Sequence, residues 1–153
     1  MTYDIISTGS QGNAIVVDGK ILIDCGIPFK KLEPYIKDLK IVLLTHIHGD
    51  HFNKTTIRKL SRERPALRFA CGKWLIADLL KCGVNPSKID VCEISRVYNY
   101  GWFQLSNIKL YHDVENCGWR LFLQNEKAIY ITDTSTVQGI VAKNYNLYMI
   151  EAN

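Results

Sequence analysis

Histidine is scarce in this chain, proline scarcer than usual, and long apolar runs are missing. The 153 residues hold four histidines, four prolines and five cysteines. The apolar runs span only a handful of residues, far short of the roughly 20 that a membrane-crossing helix needs. The N-terminus has no basic segment followed by an apolar core, so no secretory signal is expected and the cytoplasm is the expected compartment. Cys25, Cys71, Cys82, Cys92 and Cys117 are odd in number and scattered, without a Cys-x-x-Cys pair. This argues against a disulfide framework and a thiolate zinc site, and for reduced thiols packed in the interior. Charge of one sign is not in large excess: net +4, with a pI near 8.8. That balance permits a polyanionic partner without requiring one. Lys30-Lys31 and the stretch from Arg58 to Arg64 read most simply as solvated helix faces. Repeats, low-complexity tracts and linkers are absent, and 47% apolar against 22% charged residues is ordinary for one globular domain over 1–153.

Against that scarcity, three of the four histidines fall in one heptapeptide, Thr45-His46-Ile47-His48-Gly49-Asp50-His51, directly after the apolar run Ile41 to Leu44. Alternate side chains of an extended segment point the same way, so His46 and His48 can face one ion. A turn at Gly49 brings Asp50 and His51 toward a second position. A solvated loop whose histidines only satisfy hydrogen bonds is the plainer alternative; the density of ligand types weighs against it.

Around this motif the chain reads as strands with a few helices. Tyr3 to Ser7 is a short strand, followed by the Gly- and Asn-containing turn Thr8 to Asn13. Ala14 to Val17 and Lys20 to Ile23 form a hairpin about Asp18-Gly19. Phe29 to Ile36 is either a brief helix that restarts near Pro34 or an irregular turn, Phe52 to Arg64 is a helix closed by Pro65, and Leu67 to Cys71 a strand. Lys73 to Cys82 is an amphipathic helix, with Trp74, Leu75, Leu79 and Cys82 near one face and Gly83 at its end. Ile89 to Ile94 is a candidate strand, and the aromatics from Tyr98 to Phe103 read as packing. Strands follow at Leu105 to Tyr111, Trp119 to Leu123, Lys127 to Thr132 and Tyr145 to Ile150. The expected hairpin tip is Asn125-Glu126, and Thr134 to Lys143 is helix or loop.

The pattern His-x-His-x-Asp-His after a buried strand resembles the signature of the metallo-β-lactamase-fold metallohydrolases. The turn Ser7 to Asn13, the strand end Ile21 to Gly26, His112-Asp113 and the strand end Ile131 to Thr134 follow in the order that family uses. The chain looks most similar to the family's small, single-domain, exonuclease-like branch, with bacterial and phage members. The resemblance implies an α+β fold, an αββα sandwich whose second half is short. It also implies two divalent metal ions: His46, His48 and His112 holding the first, Asp50 and His51 the second, and Asp133 bridging. Imidazoles and carboxylates suit zinc or manganese. Asp24 is the supporting carboxylate, accepting from a ligand imidazole rather than coordinating.

Members of the family usually complete the second metal with a further histidine, and none follows His112 here. The expectation is therefore a second half that is truncated, a weak second metal, and either a homodimer or a companion polypeptide supplying the rest. The implied activity is hydrolysis of phosphodiester bonds, with nucleic acid as partner, a metal-bridging hydroxide as nucleophile and Asp50 orienting it. Hydrolysis of thioesters, lactones or cyclic nucleotides is the alternative chemistry. A catalytically weak binding or regulatory module, or half of a split enzyme, is the alternative of another class.

Overall fold

A computed structural model describes residues 1–151; Ala152 and Asn153 at the end of the final segment lie outside the described residues. The chain divides into two compact units, Met1–Val91 and Cys92–Asn153. Together they give an α+β fold with two sheets and few helices.

The first unit carries a six-stranded sheet whose strands lie in chain order: β1 (Tyr3–Ser7), β2 (Ala14–Val17), β3 (Ile21–Ile23), β4 (Ile41–Leu43), β5 (Arg68–Cys71) and β6 (Ile89–Val91). The hairpin between β2 and β3 turns where expected. Asp18 (φ 50°) and Gly19 (φ 66°) both take the left-handed conformation that a tight two-residue turn requires. From β3 onward the pairing is parallel, so each crossover must carry the chain over one face of the sheet. Helices do this: α1 (Phe29–Leu32) precedes β4, α2 (Lys54–Glu63) joins β4 to β5, and α3 (Ile76–Lys81) joins β5 to β6. One row of directly paired residues, Val16, Leu22, Val42 and Phe69, runs across four strands. It belongs to the same buried cluster as Ile57 and Leu60 of α2 and Leu79 of α3. Burying these side chains, at about 1.5–3 kcal/mol each, fixes the sheet beneath the loop that follows β4.

α2 starts where its cap is: Asn53 accepts from the Thr56 N–H at 3.1 Å, so the helix begins two residues later than the apolar pattern suggested. α1 ends before Pro34, as the proline demands. The segment expected as one helix from Lys73 to Cys82 is instead a 3₁₀ turn, Lys73–Leu75, running into α3. Trp74 accounts for the tighter turn: a Cβ on Gly72 would collide with its indole, and its Nε1 donates to the Thr45 carbonyl at 3.1 Å. The expected strand at 89–94 ends at Val91.

The second unit carries a five-stranded sheet in the order β11-β10-β9-β8-β7: β7 (Val97–Asn99), β8 (Gln104–Tyr111), β9 (Glu115–Leu123), β10 (Glu126–Ile131) and β11 (Leu147–Ile150). β9 begins four residues before the expected Trp119 because Glu115 to Gly118 pair fully with β8, a register that the polar and glycine residues there conceal. The hairpin tip is Gln124-Asn125, one residue earlier than expected: Leu123 pairs with Glu126, and Gln124 has φ 52°. Thr134 to Lys143 is loop; Ile140 and Ala142 from it pack with Tyr145 against Leu110, Ile129 and Ile131. All five cysteines are buried and none is in a disulfide. No helix among the described residues is long and apolar enough to cross a membrane.

Candidate metal centre

The histidine loop leaves β4 while its backbone is still tied to the sheet, the Leu44 N–H donating to the Ala70 carbonyl at 3.0 Å. It then turns sharply, with the N–H groups of His51 and Phe52 both donating to the His48 carbonyl at 2.9 and 2.8 Å. The turn gathers the rings, His48 edge-on and His51 tilted against His46. His46 lies 4.9 Å from His48 and 4.3 Å from His51, centroid to centroid. Oδ2 of Asp50 stands 3.5 Å from Nε2 of His51. His46 and His51 are fully buried, while His48 and Asp50 are partly open.

Asp24, just past β3, organises this set. It is fully buried and takes a left-handed conformation, φ 58°, which swings its carboxylate under the loop. Its Oδ1 accepts from the Thr45 N–H at 2.9 Å, and the Thr45 hydroxyl lies within 3.0 Å of both carboxylate oxygens. Oδ2 lies 2.6 Å from Nδ1 of His51, and the Thr45 hydroxyl lies 2.8 Å from Nδ1 of His46.

These contacts decide the tautomers. A carboxylate only accepts, so Nδ1 of His51 carries the proton. The one hydroxyl hydrogen of Thr45 goes to Asp24, so Nδ1–H of His46 must donate to that hydroxyl. In both rings Nε2 is then the nitrogen with the lone pair, the form a metal requires. Three imidazoles and a carboxylate in one loop, two of the imidazoles set in the ligating tautomer, fit a divalent ion of the zinc or manganese class. Asp24 thus reaches His51 directly and, by way of Thr45, His46.

In the second unit, His112 follows β8 and Asp133 follows β10, both at strand ends. Asp133 has φ 48°, the same left-handed exit that Asp24 makes from β3. Asn116 donates through Nδ2 to the carbonyls of Thr132 and Asp133. The Ser135 N–H donates to the Tyr111 carbonyl at 2.8 Å, and the Tyr111 N–H to the Thr134 hydroxyl at 3.0 Å. These bonds bring His112 and Asp133 to one cavity of about 420 Å³, which Asp113 and Thr134 also line. Nε2 of His112 lies 3.2 Å from Oδ1 of Asp113.

Two residues of the site were not legible as such. Thr45 reads as a strand-end residue and Asn13 as a turn former; only the fold shows that Thr45 joins Asp24 to His46, and that Asn13 lies 3.1 Å from Nε2 of His51.

Residues 7–53 match the Metallo-beta-lactamase superfamily, a stretch running from the Ser7 turn through the histidine loop. The chain is 26% identical over 167 residues to a Bacillus anthracis protein named exodeoxyribonuclease YycJ, covering 99% of this chain and 62% of the relative. The chain thus spans about three-fifths of the length of that curated relative. Among solved structures, the metallo-beta-lactamase fold protein YhfI from Bacillus subtilis superposes with a TM-score of 0.66 at 18% identity, over 84% of this chain and 60% of that one. The short form of human tRNase Z (ELAC1) superposes with a TM-score of 0.71 at 16% identity, over 90% and 70%.

Proposed function

Because this chain has the metallo-β-lactamase fold and matches the superfamily across its histidine loop, we propose that it is a metal-dependent hydrolase that cleaves phosphodiester bonds in nucleic acid. The observation that carries the reading is the hydrogen-bonded set of Asp24, Thr45, His46 and His51, which holds both imidazoles through Nδ1 and leaves Nε2 of each as the nitrogen to offer a metal, that of His51 beside Asp50. His46, His48, Asp50 and His51 would hold metal from the first unit, and the family resemblance adds His112 and Asp133 from the second. A divalent ion bound there supplies a Lewis acid for the phosphoryl oxygens and makes water nucleophilic near neutral pH.

The protein's own part is positioning. Burial of His46 and His51 excludes solvent from their rings, and the bonds to Asp24 and Thr45 hold them against reorientation. Asp50, 31% exposed at its side chain, would orient the attacking water. The names of a curated relative, an exodeoxyribonuclease, and of a fold neighbour, a tRNase, support a nucleic-acid substrate over a thioester or lactone. The excess of cations over anions, 19 against 15, is of the sign a polyanion prefers.

β11 edges its sheet among the described residues and leaves Tyr148 and Ile150 about half exposed, which supports association along that edge with a second copy or a companion polypeptide. Light scattering tests that part. For the activity, the purified protein is stripped with a chelator and resupplied with zinc or manganese. Metal-dependent cleavage of single- or double-stranded DNA or RNA that is lost in Asp50→Ala supports the reading. Turnover of thioesters or lactones without phosphodiester cleavage overturns the substrate assignment, and salt-sensitive nucleic-acid binding without any cleavage overturns the enzymatic one.

A further inference from the structure

The turn before β2 lies against the histidine loop, and one side chain makes the join. Asn13 is buried, 2% exposed. Its Oδ1 accepts from the Gly9 N–H at 3.0 Å, and a backbone N–H can only donate, so the amide orientation is fixed. Nδ2 then faces three acceptors: the carbonyls of Gly9 at 3.0 Å and Asp50 at 3.1 Å, and Nε2 of His51 at 3.1 Å. The backbone of Asn13 adds to the join, its N–H donating to the Asp50 carbonyl at 2.7 Å and its carbonyl accepting from Gly26 at 3.0 Å.

The arithmetic of the amide is informative. An Asn NH₂ has two hydrogens and here meets three acceptors. Since Asp24 fixes the His51 proton on Nδ1, Nε2 accepts and is one of the three. An ion taking the Nε2 lone pair removes one acceptor and leaves two carbonyls for two hydrogens, so no buried donor is stranded when metal enters. One of those two bonds, together with the Asn13 backbone N–H, holds the Asp50 carbonyl where the carboxylate of that residue stays beside His51.

We infer that Asn13 is a positioning residue for the Asp50 and His51 metal position: its amide holds the Nε2 lone pair of His51 before metal enters and the Asp50 backbone afterwards. The inference rests on the metal-hydrolase reading above and adds to it a residue from a turn that supplies no ligand itself.

Cobalt(II) alone, followed by its visible absorption, is the probe, titrated into the metal-stripped 153-residue chain. The variants are Asn13→Ala, Asn13→Ser (which keeps one donor), His46→Ala and His51→Ala; circular dichroism reports folding. Loss of a hydrogen-bond partner around a ligand costs about 10- to 100-fold in metal affinity. Asn13→Ala is expected to weaken by that factor the binding step that His51→Ala abolishes, with a smaller effect on the step that His46→Ala abolishes and an intermediate loss in Asn13→Ser. A second readout needs no metal: the ¹⁵N shift of Nε2 of His51 in the stripped protein should move in Asn13→Ala. Unchanged cobalt affinity in folded Asn13→Ala or Asn13→Ser, or equal weakening of both steps, overturns the inference and leaves the hydrolase reading standing. Failure of the wild type to take up cobalt overturns both.

Discussion

Nδ1 of His51 lies 2.6 Å from Oδ2 of Asp24, and neither side chain has any solvent exposure. A carboxylate so placed has no water to fall back on, so its partners depend on it: the Thr45 N–H, the Thr45 hydroxyl and the His51 ring. Replacing it with alanine strands donors in the interior, at about 1–3 kcal/mol for each one left unsatisfied. Asp24→Ala should therefore unfold at markedly lower denaturant concentration even without metal. Asp24→Asn, which keeps the volume, should fold better but bind zinc more weakly, because an amide nitrogen facing Nδ1 favours the wrong tautomer. Chemical denaturation with and without zinc separates the two effects.

Glycines around the loop divide by what surrounds them. A Cβ on Gly26 would fall inside the carbonyl of Asp50, and one on Gly12 inside the carbonyl of Gly26, whereas Gly49 has no atom within 4 Å of that position and no left-handed φ. Gly26→Ala should push the Asp50 segment away from Asn13 and cost about 1–3 kcal/mol or more, the range for overpacking. Gly49→Ala, at the exposed apex of the same loop, should melt close to wild type. Thermal unfolding of the pair is the measurement; equal melting temperatures would show that the backbone contact is not close-packed.

The extent to which this architecture is readable from the chain follows from the range of the interactions. The hairpin at Asp18-Gly19 is a local effect of backbone preference and is plain in the sequence, and Pro34 announces a break near α1 without showing that the helix stops at Leu32. The strand Ile41 to Leu43 stands out because a parallel strand buried on both faces is continuously apolar. The start of β9 is set by cross-strand register with β8, to which Asn116 and Gly118 contribute no pattern. The 3₁₀ turn at Lys73 is set by an indole lying over Gly72. Within the site, the histidines announce themselves by type and spacing, while Thr45 and Asn13 act through a single hydroxyl and a single amide that composition does not distinguish from those of any turn.

Thr45 offers a sharper test of the tautomer argument. Its hydroxyl donates to Asp24 and accepts from His46 at 2.8 Å, and its methyl has no part in either bond. Thr45→Ser should preserve zinc affinity at modest cost in stability. Thr45→Val, matched in shape but without the hydroxyl, should lose about 10-fold or more in zinc affinity, because Nδ1–H of His46 loses its acceptor and the ring is free to change tautomer or rotate. Isothermal titration with zinc decides; equal affinity in the serine and valine variants would show that His46 is held by something other than the hydroxyl.

Burial governs the thiols. Cys25, fully buried, has its pKa driven far above the ordinary thiol value, first by desolvation, then by the charge of Asp24 beside it and by Cys82. Cys82 is raised by the same desolvation, opposed by Arg58 and Lys54. A thiol held protonated in the folded state stabilises nothing extra below its unfolded pKa of about 8.5, where both states are protonated. Above that pH the unfolded chain releases the proton and the folded one does not, so stability falls as pH rises, with a limiting slope of about 1.4 kcal/mol per pH unit for one such group. Denaturation midpoints should thus be flat in this respect from pH 7 to 8 and decline from pH 9 to 10, with a shallower decline in Cys25→Ala. In the native protein at pH 8 a thiol-specific disulfide reagent should label the buried cysteines only on the timescale of unfolding, and all five at once in denaturant. Fast labelling of Cys25 in the folded chain would show that the loop from Asp24 to Gly26 opens to solvent, and the rigid cradle drawn for His51 and Asp50 would fall with it.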